Sequence, residues 1–393
     1  MLWSTRNVCG PGFGVFDTLF SVLAQFGMFE EARLYFVKMK KFRVFPKVRS
    51  CNELLYRLSK SGEREMSKIF FRDMVRAGIS PSVSTYNIMI DYSCKEGDLE
   101  TARKLFEQMK QIGLKPDIVT YNTLIDGFGK VGSLNEAIVL YEEMKDTGCE
   151  PDGITYNSLI NCFCKFERIP QAFEYLCQMK RRGLKPNVVT YTTLVDAFCK
   201  SGMMLEAIKF YVDMRRVGLL PNEYTYTSLI DANCKKDNVN DALKLSKEML
   251  EAGLNFNIVS CTALLDGLCE DGRIKEAEKL LRAMSRAGVA PTLQIYTALI
   301  HGYIKVKMPE SVLHILKEMK SMKPDMPLYG TIILGLCREN KIEEAEAVLR
   351  KIKIVVCLQI VIYTQPLWMH ILRLEKLLRH LICSKRCRNW LLR

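Results

Sequence analysis

Asn52, Asn87, Asn122 and Asn157 stand 35 residues apart, and Thr192, Thr227, Thr262 and Thr297 continue the same step. Each has a second polar residue further along the chain: Ser82, Asp117, Asp152, Asn187, Asn222, Asn257, Thr292 and Asp325 in turn. The earlier pair, Asp17 and Lys47, departs from this chemistry. Asparagine and threonine can each donate and accept a hydrogen bond. These residue types also have an ordinary use, since Asn and Thr cap helices and Asp or Asn suits a turn. Capping alone does not explain why Asn holds one place in four successive units and Thr the same place in the next four.

A basic column runs through Lys60, Lys95, Lys130, Lys165, Lys200, Lys235 and Lys305, with Glu270 and Arg338 in its remaining places. Lysine there suits a phosphate and equally suits the negative end of a helix. An apolar column holds Val119, Ile154, Val189 and Val259, with Ser84 and Gln294 in two of its places. The four histidines, at 301, 314, 370 and 380, have no nucleophile or metal partner at motif spacing. We find no phosphate loop, serine elbow or acidic nuclease cluster, and no His-x-Glu followed by paired cysteines. The expectation is therefore a non-enzyme without cofactor, metal or small-molecule substrate.

Fifteen cysteines are present, and Cys94, Cys164, Cys199, Cys234, Cys269 and Cys337 recur at one place in the pattern. That favours small buried thiols in a reducing compartment over a disulfide or zinc framework. The net charge of +13 is unevenly spread. From Lys353 onward there are eight Lys or Arg against the single acid Glu375, so the rest of the chain has only a mild basic excess. Bulk charge is weak evidence for nucleic acid; placement carries the argument.

The elements that position these columns follow from the period. Prolines at 46, 81, 116, 151, 186, 221 and 291, tyrosines at 86, 121, 156, 191, 226 and 296, and methionines from Met39 to Met319 keep the 35-residue step. Such self-similarity marks a solenoid whose units bury apolar faces only against their neighbours. Within 118–152, Tyr121, Leu124, Ile125 and Phe128 predict one amphipathic helix. Leu134, Ala137, Leu140, Tyr141 and Met144 predict a second, ended by Gly148. Ala102, Ala137, Ala172, Ala207, Ala242 and Ala277 are small where two helices cross closely. The units read 13–47, 48–82, 83–117, 118–152, 153–187, 188–222, 223–257, 258–292, a shortened 293–325, and a partial unit 326–353. Residues 1–12 read as the end of a preceding unit, so the chain starts inside a repeat without an organelle-addressing presequence.

A helix–turn–helix unit reading V-T-Y-N-T-L-I-D-G, then K, A, M, G and P-D in register, resembles the pentatricopeptide repeat family over 1–352. Its uniform length looks like the P-type subclass of plant organellar members. The tetratricopeptide repeat is the nearest competitor, with a 34-residue period and a W-x₂-L-G-x₂-Y opening absent here. The resemblance implies an all-α right-handed superhelical solenoid that binds single-stranded RNA, one base per repeat. It implies that the fifth and last residues of each unit read the base, and that Val119, Ile154, Val189 and Val259 at the second place flank it. Lys95, Lys130, Lys165, Lys200, Lys235 and Lys305 are then candidates for phosphate contact. Asn/Asp favours U, Asn/Asn and Asn/Ser favour pyrimidines, Thr/Asn favours A and Thr/Asp favours G; Thr/Thr and Asp/Lys fall outside the code. Units two to nine then spell Y-U-U-Y-A-A-N-G from the 5′ end. Mitochondrion or chloroplast, an organellar transcript, and accessory processing proteins follow from the same resemblance. The alternative function is a tetratricopeptide-like scaffold whose groove binds peptides.

Residues 354–372 contain no acid or base, yet Gln, Thr, Pro and His argue against a membrane span. We read 354–393 as a frameshifted tail. Out of frame, the Trp368–Met369 junction must encode Asp and the Met369–His370 junction Ala. These fall where Asp196 and Ala197 stand in "YTTLVDAFCKSGMMLEAIKFYVDM", residues 191–214. The chain is thus expected to be a fragment of a longer array.

Overall fold

The structure, a computed structural model, describes residues 13–286, 290–319, 326–338 and 343–348. Residues 1–12, Asp325 and the tail 354–393 lie outside the described residues. Close contacts divide the chain into two units, Met1–Ala197 and Phe198–Arg393.

The first unit holds α1 (Phe13–Gln25), α2 (Phe29–Lys41), α3 (Val48–Lys60), α4 (Arg64–Arg76), α5 (Val83–Lys95), α6 (Leu99–Gln111), α7 (Ile118–Lys130), α8 (Leu134–Asp146), α9 (Gly153–Lys165) and α10 (Ile169–Arg181). The division falls within α11 (Val188–Lys200). The second unit holds α12 (Met204–Arg216), α13 (Glu223–Lys235), α14 (Val239–Glu251), α15 (Ile258–Glu270), α16 (Ile274–Arg286), α17 (Leu293–Lys305), α18 (Pro309–Glu318) and α19 (Met326–Arg338), followed by a helical stretch at 343–348. No strand occurs among the described residues. The fold is the all-α helical repeat that the two helical periodicities per 35 residues demand.

Odd-numbered helices stack on one another, α1 on α3 through α7 on α9 in the first unit and α13 on α15 through α17 on α19 in the second. Each of these except α19 also packs against the even-numbered helix that follows it. The alanine column from Ala102 to Ala277 is fully buried, which lets paired backbones approach. Met39, Met74, Met109, Met144, Met214 and Met249 are equally buried, and each apolar side chain removed from water contributes about 1.5–3 kcal/mol. The tyrosine column is buried from Tyr86 to Tyr226, whereas Tyr296 is half-buried. Gly148 does end its helix: at φ +78° its N–H and that of Cys149 donate to the carbonyls of Lys145 and Met144.

The cysteine column explains how the odd helices stack so closely. A Cβ on Gly127 would meet Cys94 Sγ at 2.5 Å, and one on Gly267 would meet Cys234 Sγ at 3.0 Å. Between α7 and α9 the partners exchange places: Gly129 lies against Cys162, whose Sγ would sit 1.8 Å from an added Cβ. Burial pushes the thiols of Cys94, Cys162, Cys164, Cys234 and Cys269 up to about 12, so they are neutral packing groups.

Candidate nucleic-acid interface

The last residue of a repeat is the N-cap of the next odd helix, as Lys47, Ser82, Asp117, Asp152, Asn222, Asn257 and Thr292 show. Asp117 Oδ1 accepts from the Thr120 backbone N–H at 2.9 Å, and Thr120 Oγ1 accepts from the Asp117 N–H at 3.2 Å, closing a capping box. Ser82 with Thr85, Asp152 with Thr155, and Asn257 with Ser260 build the same box. The helix start therefore fixes the backbone of this residue and points one face of its side chain back toward the preceding repeat.

There the fifth-place asparagine meets it. Asn87 Nδ2 donates to Asp117 Oδ1 at 3.0 Å, and Asn122 Nδ2 donates to Asp152 Oδ1 at 3.2 Å. Asn52 donates to Ser82 Oγ, and Asn157 to Asn187 Oδ1, each at 3.3 Å. The four asparagine pairs of the sequence are thus hydrogen-bonded pairs in the fold. The hydrogen bonds that Asp152 accepts from Asn122, Ile154 and Thr155 all fall on Oδ1. Burial raises the affinity of Asp117 and Asp152 for a proton, but the threonine N–H and hydroxyl and the asparagine amide outweigh it. Both carboxyls are held below the ordinary aspartate value and are charged at neutral pH.

Around Asn122 the predicted residues converge. A groove of about 410 Å³ is lined by Val119, Asn122 and Ile154, with Lys95 and Lys130 beside them and Asp91, Asp126, Cys94, Thr123, Gly127 and Ser158 completing it. Val119 and Ile154 are 53% and 63% exposed, too much for core residues and suited to cover a flat ligand face. Val189 and Val259 are similarly exposed at the same place in their repeats. The sequence reading passed over Tyr224, which occupies that place on α13 and is 72% exposed. Its position in the column was the available signal, masked by reading the column as apolar.

The lysines are less free than expected. Lys95 is paired with Asp91, Lys130 with Asp126 at 2.6 Å, and Lys235 with Asp231 at 2.6 Å. The hydrogen bond to Asp126 raises the proton affinity of Lys130. Lys165 donates to the Lys130 carbonyl at 2.8 Å, and Lys305 to the Glu270 carbonyl. These two satisfy the carbonyl end of the preceding odd helix. Lys200 is exposed on α11.

The threonine repeats are built differently. Asn257 Nδ2 donates to Thr227 Oγ1 at 3.1 Å. Thr262 and Thr297 turn back onto their own helices and donate to the carbonyls of Ile258 and Leu293. Thr292 makes no cap, and its buried hydroxyl has no partner. Asn222 caps α13 by accepting from Thr225 N–H at 3.0 Å, and Thr192 is half-buried on α11. Asp17 accepts from the Lys47 backbone N–H at 2.8 Å, so this pair is closed on the main chain.

A model described as the PPR repeat family matches residues 46–95, 81–130, 116–165, 153–200, 186–235, 228–270 and 256–294. Further PPR repeat matches cover 15–44, 294–323 and 320–353. The chain belongs to the PPR repeat family. A pentatricopeptide repeat-containing protein of Arabidopsis thaliana is 70% identical to this PPR chain over 63 residues, which are 16% of the chain and 8% of that relative. The crystal structure of the pentatricopeptide repeat protein PPR10 from maize aligns with 95% of the chain at 22% identity, with a TM-score of 0.57. The aligned part spans 61% of PPR10, and the likeness is one of fold. PPR10 in complex with an 18-nucleotide psaJ RNA element aligns with 85% of the chain and 59% of that structure, at 23% identity and a TM-score of 0.48.

Proposed function

We infer that this PPR chain binds single-stranded RNA in a sequence-specific way, one base per repeat, and needs no catalysis of its own. The observation that carries the reading is the groove around Asn122. Two exposed aliphatic side chains flank it, the Asn122 amide, held by Asp152, lines it, and Lys95 and Lys130 stand at its edge, each paired with an aspartate on its own helix. A base needs those three things: cover for its faces, donors and acceptors for its edge, and positive charge for its phosphate. The bound transcript is masked or remodelled, which serves processing, stabilisation or translation. A P-type array in a mitochondrion or chloroplast is the setting the family suggests.

A peptide-binding scaffold is the rival. A carboxylate clamp would require Lys95, Lys130 and Lys235 to leave the aspartates on their own helices, as a phosphate contact would, so these lysines do not separate the two readings. What favours RNA is that the paired fifth and last residues offer donors and acceptors once per 35-residue repeat, as a row of base edges requires.

The test exchanges the two kinds of repeat. Asn122→Thr with Asp152→Asn should move the preference at that repeat from U to A and leave its neighbours alone. Binding is measured with short RNAs that differ at one base, after crosslinking and sequencing have located the bound site. Equal weakening for all four bases would show that these residues only cap helices.

A further inference from the structure

The four asparagine repeats share a bond that the paired columns do not contain. A hydroxyl at the third place of the following odd helix donates to the asparagine carbonyl. Thr85 reaches Asn52 at 2.7 Å, Thr120 reaches Asn87 at 2.6 Å, Thr155 reaches Asn122 at 2.7 Å, and Thr190 reaches Asn157 at 2.6 Å. These threonines are at most 1% exposed, so their hydroxyls cannot turn to water. On its other side each oxygen accepts from the N-cap backbone, as from Ser82 N–H at 2.9 Å and Asn187 N–H at 3.1 Å. At Thr85 the Ser82 hydroxyl, 3.0 Å away, can itself donate, which leaves the Thr85 proton for Asn52; at Thr120, Thr155 and Thr190 the oxygens Asp117 Oδ1, Asp152 Oδ1 and Asn187 Oδ1, at 2.8, 3.0 and 3.2 Å, compete with the asparagine for the single proton.

We propose that this buried hydroxyl is a positioning residue for base reading: it holds the asparagine carbonyl toward the protein and turns the amide NH₂ toward the groove. The proposal rests on the RNA-binding reading above. One amide hydrogen goes to the last residue of the repeat, and the other faces outward as a fixed donor for an acceptor on the base edge. Without the hydroxyl the amide can turn over and offer an acceptor in place of the donor. A base read by one repeat is therefore read together with the helix start of the next.

The four repeats depend on this bond to different degrees. At Asp117 and Asp152 a turned amide would set its oxygen against a carboxylate oxygen, so the carboxylate also enforces the orientation. Ser82 donates as readily as it accepts and enforces nothing. Reading at Asn52 thus hangs on Thr85. At the starts of α15 and α17 the device is missing. The Ser260 hydroxyl turns to the Asn257 carbonyl at 3.0 Å, and the third place of α17 is the buried Ile295.

The experiment uses the full chain and short single-stranded RNAs that vary only at the base facing repeat 48–82. The unaltered chain should favour a pyrimidine there by about tenfold, the worth of one edge contact. Thr85→Val should bring that ratio to about two, by the same conversion, with the base facing 118–152 read as before. Thr85→Ser should keep the original ratio, and Thr155→Val should lose less discrimination than Thr85→Val. Thermal melting by circular dichroism reports folding separately, and Thr85→Ala removes the same hydroxyl should the valine variant unfold. Weaker binding to every RNA with an intact ratio would overturn the proposal and make the hydroxyl purely structural. If that occurs while the Asn122→Thr, Asp152→Asn exchange still switches its base, the RNA reading survives and only the positioning role falls. No base preference at any repeat would overturn both.

Discussion

The asparagine repeats of residues 48–187 and the threonine repeats of residues 223–319 use one backbone to hold two kinds of polar head. In the first, the side chain is long enough to bond the last residue of its repeat and a buried hydroxyl 33 residues ahead. In the second, threonine is too short for both. Thr227 is met by the Asn257 amide, while Thr262 and Thr297 spend their proton on their own helix. The difference of one carbon and an amide separates a head locked by the next repeat from one locked by its own. That contrast teaches that the fifth place sets the chemistry offered, while the helix start of the following repeat sets how firmly it is offered.

The largest effect should come from the spacing on which both kinds depend. Gly129→Ala places a Cβ within 1.8 Å of Cys162 Sγ, and such overpacking costs about 1–3 kcal/mol. Gly267→Ala in a threonine repeat meets Cys234 at 3.0 Å and gains about 1 kcal/mol of helix propensity, so its net change should be small. Urea denaturation checks both, and Cys162→Ala combined with Gly129→Ala should recover part of the loss. Equal costs at the two sites would mean that stacking distance does not differ as described.

A middle-sized effect concerns charge. If Lys130 leaves Asp126 for a phosphate, Lys130→Ala should flatten the salt dependence of single-strand binding by about 0.7 in logarithmic slope. Asp126→Asn should strengthen binding by releasing the ammonium. In the threonine repeats Lys235 should behave alike, and Glu270→Lys should steepen the slope where α15 ends in an acid. An unchanged slope in all of these would confine the lysines to pairing on their own helices.

The smallest effect lies at the turns between paired helices. Glu167 and Asp237 adopt φ +59°, where Gly132, Gly202 and Gly272 stand in other repeats. Left-handed backbone costs an ordinary residue about 1–2 kcal/mol, so Glu167→Gly and Asp237→Gly should each stabilise the chain by up to that amount. A fall in the urea midpoint at either site would show that the side chain, rather than the backbone, decides the turn.

Much of this was legible beforehand because helical periodicity is local. Tyr121, Leu124, Ile125 and Phe128 lie on one face of α7 whatever α7 packs against, and Gly148 takes φ +78° for reasons within its own turn. The pairing of Asn87 with Asp117 could be suspected from two columns in register. Thr120 could not be singled out, because an N-terminal threonine looks the same whether its hydroxyl faces water or a neighbour. The Lys130–Asp126 pair was in reach of the sequence, being four residues apart on a helix, but the phosphate reading of the lysine column took no account of it. Tyr224 went unread because one aromatic among aliphatic residues did not disturb the pattern.

By itself, then, the sequence determined the helices, their ends, the repeat and the family, since each of these rests on contacts within a few residues or on recurrence at a fixed step. Only the tertiary structure decided which hydroxyl holds which amide, which cysteine fills which glycine, and that Val119, Asn122 and Ile154 share one groove. Those contacts join residues about 30 to 35 places apart, and stacking geometry at the scale of a few ångströms selects them.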